Sequence, residues 1–168
     1  MEQLFLSFSA DKLRQLESRI EQCLDRLSPE QIWWRSSEEN NSIGNLVLHL
    51  TGNVRQWILS AVGGAPDTRE RDAEFAARSQ ANLREVRSRL ADTVAQASML
   101  IEGLPAERLA ARIQVQGYEK TVLEAIYHVV GHFAEHTGQI IYITKTLRKE
   151  DLGFYKHLSA AAHTEKTP

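Results

Sequence analysis

Along almost the whole chain, apolar residues recur every third or fourth position. That is the period of an α-helix burying one face, so the chain is confined to helix packed on helix. Leu13, Leu16, Ile20, Cys23 or Leu24, and Leu27 make the first stripe, with Ser9 as its expected N-cap and Ser28-Pro29 after its end. A second runs through Ile43, Leu46, Val47, Leu50, Val54, Trp57, Ile58 and Ala61, opened by Ser42 and closed by Gly63, Gly64 and Pro66. The polar run DTRERD at 67–72 leads to a third stripe, Leu83 to Leu104, which Pro105 stops. The fourth carries Val122, Ala125, Ile126, Val129, Phe133, Ile140, Ile143 and Leu147, and Thr121 with Glu124 forms a capping box at its start.

Between Leu104 and Thr121 the pattern loosens, and Ile113, Val115 and Tyr118 suit either a short extended piece or a packed loop. Four helices of about 16 to 30 residues with almost no strand signal predict an all-α four-helix bundle. With 168 residues, 42% of them hydrophobic, the chain can bury one sizeable core. The expected organisation is one bundle over 1–150 and a short C-terminal extension over 151–168, frayed at its end.

Charge and cysteine usage narrow the function classes. A formal charge of −2, with no basic stripe interleaved with aromatics, argues against a nucleic-acid partner. No apolar run of about 18 residues and no signal peptide is found, so no membrane association is expected. The single cysteine, Cys23, permits no internal disulfide, and a cytoplasmic protein is expected. Its place on the first stripe makes it a core residue rather than a reactive thiol.

His128, His132 and His136 stand at every fourth position of the fourth helix. Measured from Val129 at the centre of the stripe, they fall about 100°, 60° and 20° away at 100° per residue, so the lower pair points most nearly inward. Imidazoles one turn apart can share one metal ion, with the third ligand coming from elsewhere in the fold. His49, at the flank of the second stripe, is the candidate. Three neutral imidazoles leave a coordination position open, as catalytic sites do, and suit zinc, nickel, iron or copper.

A lone histidine beside an apolar stripe is ordinarily a boundary residue, and His128 is read that way. Asn53, one turn after His49, and Gln139, three residues beyond His136, are candidate supporting or substrate-orienting groups, and so is His128 if it is more than a boundary residue. Asn53 and Gln139 would serve equally well as solvated helix positions. Glu135 is turned away from His136 and reads as surface; Trp33 and Trp34 suit the mouth of a pocket, and read more simply as packing anchors. No role is assigned to His157 and His163. HFAEH lacks the glutamate of the zinc-peptidase signature, and no phosphate loop or nucleophile elbow is present.

An internal echo accompanies these motifs. LSPEQI at 27–32, followed by the Ser42-opened helix with His49, parallels LPAERL at 104–109, followed by the Thr121-opened helix with His128.

The segments NSIGNLVLHLTGN at 41–53 and HVVGHFAEHTGQI at 128–140, with LSPEQIWWR at 27–35, resemble the signature segments of the DinB/YfiT-like superfamily. The likeness covers residues 1 to about 150. It implies a four-helix bundle of up-down-down-up connection, often homodimeric, holding zinc, nickel or a similar divalent ion. Matched by position, the ligands are His49, His132 and His136, while His128 corresponds to a histidine one turn above the site that need not be a ligand. The activities it implies are metal-dependent transfer of a low-molecular-weight thiol to an electrophile, a thiol-dependent isomerisation, or hydrolysis.

The leading expectation is therefore a metal-dependent transferase or hydrolase that activates water or a small thiol toward a small-molecule substrate. The alternative is a non-catalytic, stress-related dimeric binding or scaffold protein.

Overall fold

The computed structural model describes residues 1–78 and 82–159. Its first helix, α1 (Glu2–Leu24), buries Leu6, Ala10, Leu13, Leu16, Ile20 and Cys23. The apolar stripe thus starts upstream of Ser9. Ser9 is no N-cap: it lies inside the helix and is itself buried, because burial of Leu6 extends the helix toward the chain start. Ser28 instead caps a single-turn helix, α2 (Pro29–Ile32), with Gln31 completing its capping box.

The second stripe is α3 (Ile43–Val54), which continues without a break into a π-helical segment (Arg55–Val62). The Gly63 N–H donates to the Ile58 carbonyl at 2.9 Å, five residues back. A wider turn delays each inward position, so Val62 is buried where uniform α periodicity places Ala61. Next come a short helix, α4 (Arg71–Ala76), then α5 (Leu83–Glu102) and a 3₁₀ turn (Ala106–Ala110). The ambiguous stretch resolves into an antiparallel hairpin, β1 (Arg112–Val115) with β2 (Tyr118–Thr121). Its two-residue turn needs positive φ at both positions, which Gln116 (51°) and Gly117 (79°) supply. The Thr121–Glu124 capping box then opens α6 (Val122–Arg148) as expected.

The four long helices share one core, with α1 and α3 each packed against both α5 and α6. Arg14 grips Glu102 with two hydrogen bonds of 2.7 and 2.6 Å, and Arg87 bridges Glu21 and Asp25, tying α1 to α5 at its surface. The sequence echo has a structural counterpart. Each half is a long helix, a proline-led short helical turn and a side-chain-capped helix that carries histidine. Beyond α6, Leu152 is buried against the core, and Arg19 stacks over the Phe154 and Tyr155 rings. His157 sits in a final 3₁₀ turn (Lys156–Ser159), and His163 lies outside the described residues.

Cys23 is fully buried, and burial pushes its thiol pKa up. Labelling of the folded protein by a thiol reagent is expected to run at least about a hundredfold slower than in denaturant, since access requires opening of the core. Comparable rates in the two conditions would place Cys23 outside the core.

Among the described residues no helix is long and apolar enough to cross a membrane.

Candidate metal centre

The sequence dictates where the three histidines stand. Ser42 accepts the Asn45 N–H at 3.1 Å and starts α3, so that His49 emerges two turns later on the flank of a stripe whose Leu46 and Leu50 are buried. On α6, full burial of Val129, Phe133 and Ile140 fixes the rotation, and His132 and His136 come out half-buried beside them toward α3.

His49 Nε2 lies 2.9 Å from His132 Nε2. One donor nitrogen each from His49, His132 and His136 falls within 4.8 Å of the others. Ligand bonds of about 2.0–2.1 Å in a tetrahedral shell put imidazole nitrogens roughly 3.4 Å apart, so these separations suit a shared divalent cation. A neutral hydrogen bond between His49 and His132 would require His132 to carry its proton on Nε2. A shared cation would hold the same two nitrogens with both bare.

Two of the imidazoles are oriented from behind. His49 Nδ1 lies 3.0 Å from Glu74 Oε2 and 3.1 Å from Arg69 Nη2. An arginine donates only, and Arg69 gives its hydrogens to both oxygens of Glu74, at 2.8 and 2.9 Å. A carboxylate only accepts, so pairing with Glu74 puts the His49 proton on Nδ1 and leaves Nε2 bare for a metal, whereas donation from Arg69 to Nδ1 would set the opposite tautomer. Burial alone would raise the Glu74 pKa, but hydrogen bonds from Arg69 and His49 outweigh it and hold the group below its usual range. His136 Nδ1 lies 2.8 Å from Gln139 Oε1, an amide oxygen that can only accept, so its Nε2 is bare as well. Burial, then the neighbouring charges of His136 and His49, lower the His132 pKa to about 4, which keeps that ring neutral at pH 7.

The support for Glu74 comes from a segment that the sequence presents as a polar linker. Asn45 Nδ2 donates to the carbonyls of Glu74 and Ala77, both at 2.9 Å, and so straps α4 across α3. Phe75 stacks on the His49 ring with centroids 4.7 Å apart. Arg69 also donates to Gln56 at 2.9 Å. Sequence reasoning missed Glu74 and Arg69. The one signal for them is Gly52, a glycine inside a helix three residues after His49. A Cβ there would collide with the Glu74 carboxylate and come within 3.0 Å of Arg69 Nε. We expect Gly52→Ala to dislodge Glu74 and weaken zinc binding about tenfold, as loss of a ligand's hydrogen-bond partner does. Competition with a chromogenic chelator measures it, and unchanged affinity would disconnect Glu74 from the site.

His128 is exposed, stacked on His132 with centroids 5.6 Å apart and against Trp57 at 4.2 Å, and is not one of the three clustered imidazoles. Asn53 is buried, and its Oδ1 has no hydrogen-bond partner among the described residues. Glu135 is exposed and lines a cleft of about 620 Å³ with Trp34, Gln139 and Tyr142. Trp33 packs face-on over Gly44, where a Cβ would lie 2.6 Å from the ring.

A family model described as a protein of unknown function, DUF1572, matches residues 1–163. The fold is similar to that of a conserved protein from Enterococcus faecalis, with a TM-score of 0.71 at 16% identity, covering 85% of this chain and 96% of that one. It is also similar to a DinB-like protein from Bacillus cereus ATCC 10987, with a TM-score of 0.65 at 11% identity, covering 86% and 91%. No curated protein matches the chain.

Proposed function

The chain belongs to the DUF1572 family, within the DinB/YfiT-like superfamily, and we propose that it is a metal-dependent enzyme whose His49, His132 and His136 hold one divalent cation, zinc or nickel. The observation that carries this reading is the convergence of the three donor nitrogens within 4.8 Å, with His49 backed by a buried carboxylate. A cation held there would supply a Lewis acid that lowers the pKa of water or a thiol, generating a nucleophile near neutral pH.

The chain's own residues do the rest. Glu74 and Gln139 accept from Nδ1 of His49 and His136, which fixes the tautomers that present Nε2. Asn53, buried one turn after His49 with its amide oxygen unpartnered, is proposed to orient substrate. His128 is proposed to brace His132 by stacking. The reaction assigned is transfer of a low-molecular-weight thiol to a small electrophile. The thiol proton goes to solvent, the sulfur bonds to the electrophilic carbon, and the leaving group departs with the electron pair of its broken bond. With water as nucleophile the same centre would hydrolyse.

Incubating zinc- or nickel-loaded, tag-free protein with a small thiol and a chromogenic electrophile tests the assignment. Turnover that a chelator abolishes and added metal restores is the expected result. Metal at about one per chain without turnover, across thiols and hydrolytic substrates, would make the protein a metal-binding module instead.

Two structural expectations belong to the same reading. The proposed helix course is up-down-down-up. Arg14 with Glu102 and Glu21 with Arg87 support it, since positions advance along α1 as they fall back along α5. A homodimer is proposed as well, supported by the exposed Leu4 and Phe8 on α1 and Tyr142 on α6. Sedimentation velocity should give twice the 19.0 kDa chain mass, and a monomer at micromolar concentration would refute it.

A further inference from the structure

One turn of α6 above the histidine cluster lies a cavity of about 490 Å³, a volume typical of small-molecule sites. Its walls come from three elements. The π-helical segment gives Trp57, the hairpin gives Gln116, Tyr118 and Lys120, and α6 gives Leu123, Glu124, Tyr127 and His128. Tyr118 and Tyr127 are 58% and 72% exposed, so two large rings stand at its mouth without neighbours to cover them. Trp57 is 3% exposed and packs on His128 from beneath, and its indole N–H has no hydrogen-bond partner among the described residues.

The polar groups are few and set to one side. Gln116 sits at the hairpin tip. Lys120 lines the same cavity as His128. The Lys120 ammonium lies 3.8 Å from Glu124 Oε1 in an exposed pair, which holds it weakly. The other Glu124 oxygen accepts from Thr121 at the helix start.

Two connections run from this cavity to the histidines. His128, in its wall, stacks on His132 at an interplanar angle of 12°. Gln116 donates to Gln56 Oε1 at 2.6 Å, the same oxygen that takes a hydrogen bond from Arg69, which in turn grips the Glu74 behind His49.

We propose that this cavity binds the electrophilic substrate, as a small uncharged aromatic ring seated between Tyr118, Tyr127 and Trp57, with its electron-withdrawing oxygen substituent turned to Lys120 and Gln116. Rings stack with rings, and substituents that make an aromatic carbon electrophilic are the acceptors that an ammonium and an amide N–H recognise. The role of the bound ring in turnover rests on the metal-dependent reading above; its binding does not.

The test uses the full chain and an unreactive probe, 4-nitrobenzyl alcohol, titrated calorimetrically into metal-free and zinc-loaded protein. Saturable binding at one per chain, with the same Kd in both forms to within about twofold, is expected. Tyr118→Ala/Tyr127→Ala removes two exposed rings and should weaken the probe about tenfold, as the worth of two ring contacts implies, and Lys120→Met should weaken it severalfold. With a reactive nitroaromatic and a thiol, the double variant should raise KM with kcat retained. No saturable binding, or equal affinity in wild type and double variant, overturns the proposal. Tyrosine-dependent probe binding in a protein without turnover sustains the cavity assignment and removes only the thiol-transfer reading.

Discussion

His132→Ala protein, purified without a tag and analysed for metal, should carry close to none where the wild type carries about one divalent ion per chain. His132 Nε2 stands 2.9 Å from His49 Nε2, so its removal leaves two imidazoles from different helices and, among the described residues, no third member of the cluster. Loss of a direct ligand should exceed the ten- to hundredfold cost of losing a supporting hydrogen bond, so a drop in affinity of more than about a hundredfold is expected. The fold should survive. His132 is only half-buried, and alanine favours a helix interior, so denaturant unfolding of the metal-free variant should stay within about 1 kcal/mol of wild type. His128→Ala is the contrasting variant. It sits on the same helix one turn away, takes a ring off His132 and should keep its metal. Equal metal content in wild type and His132→Ala, or equal loss in both variants, would mean that the cluster does not hold the ion.

The placement of these histidines was readable because it follows from local rules acting twice. A capping residue fixes where a helix starts and an apolar stripe fixes its rotation, and together they set His49 two turns into α3 and His132 three turns into α6, two helices that share a core. The angular order read from Val129, with His136 and His132 inward and His128 outward, recurs in the structure as a cluster of two and an exposed third. What escaped depends on contacts distant in sequence. DTRERDAEF has the composition of a solvated linker, and no spacing rule connects Glu74 to a histidine 25 residues earlier; the link is Asn45, which straps the carbonyls of that segment. Likewise Arg55–Val62 has ordinary helix-forming composition, and its π course shows only in the wider turn that buries Val62. The N-terminal turn of α1 lies upstream of the local cap signal at Ser9, because burial of Leu6 outweighs that signal.

Arg69→Met should destabilise the metal-free protein by about 3 kcal/mol, the usual result of leaving one partner of a buried ion pair behind. The Arg69 and Glu74 side chains are 3% and 10% exposed, so the carboxylate left by the substitution loses two short hydrogen bonds with little access to water. Urea unfolding measures this, and a cost under about 1 kcal/mol would show the pair to be solvated. The double variant Arg69→Met/Glu74→Leu separates stability from function. Exchanging a whole buried pair for apolar side chains of similar size is often neutral, so most of the lost stability should return. Metal affinity should not return with it, because His49 Nδ1–H has then lost the acceptor that sets its tautomer, and a ten- to hundredfold deficit should remain. Recovery of both would make Arg69 and Glu74 mere packing. Recovery of stability alone means the chain buries two charges where two apolar side chains would fold as well, and the reason for keeping them is the direction in which His49 points its free nitrogen.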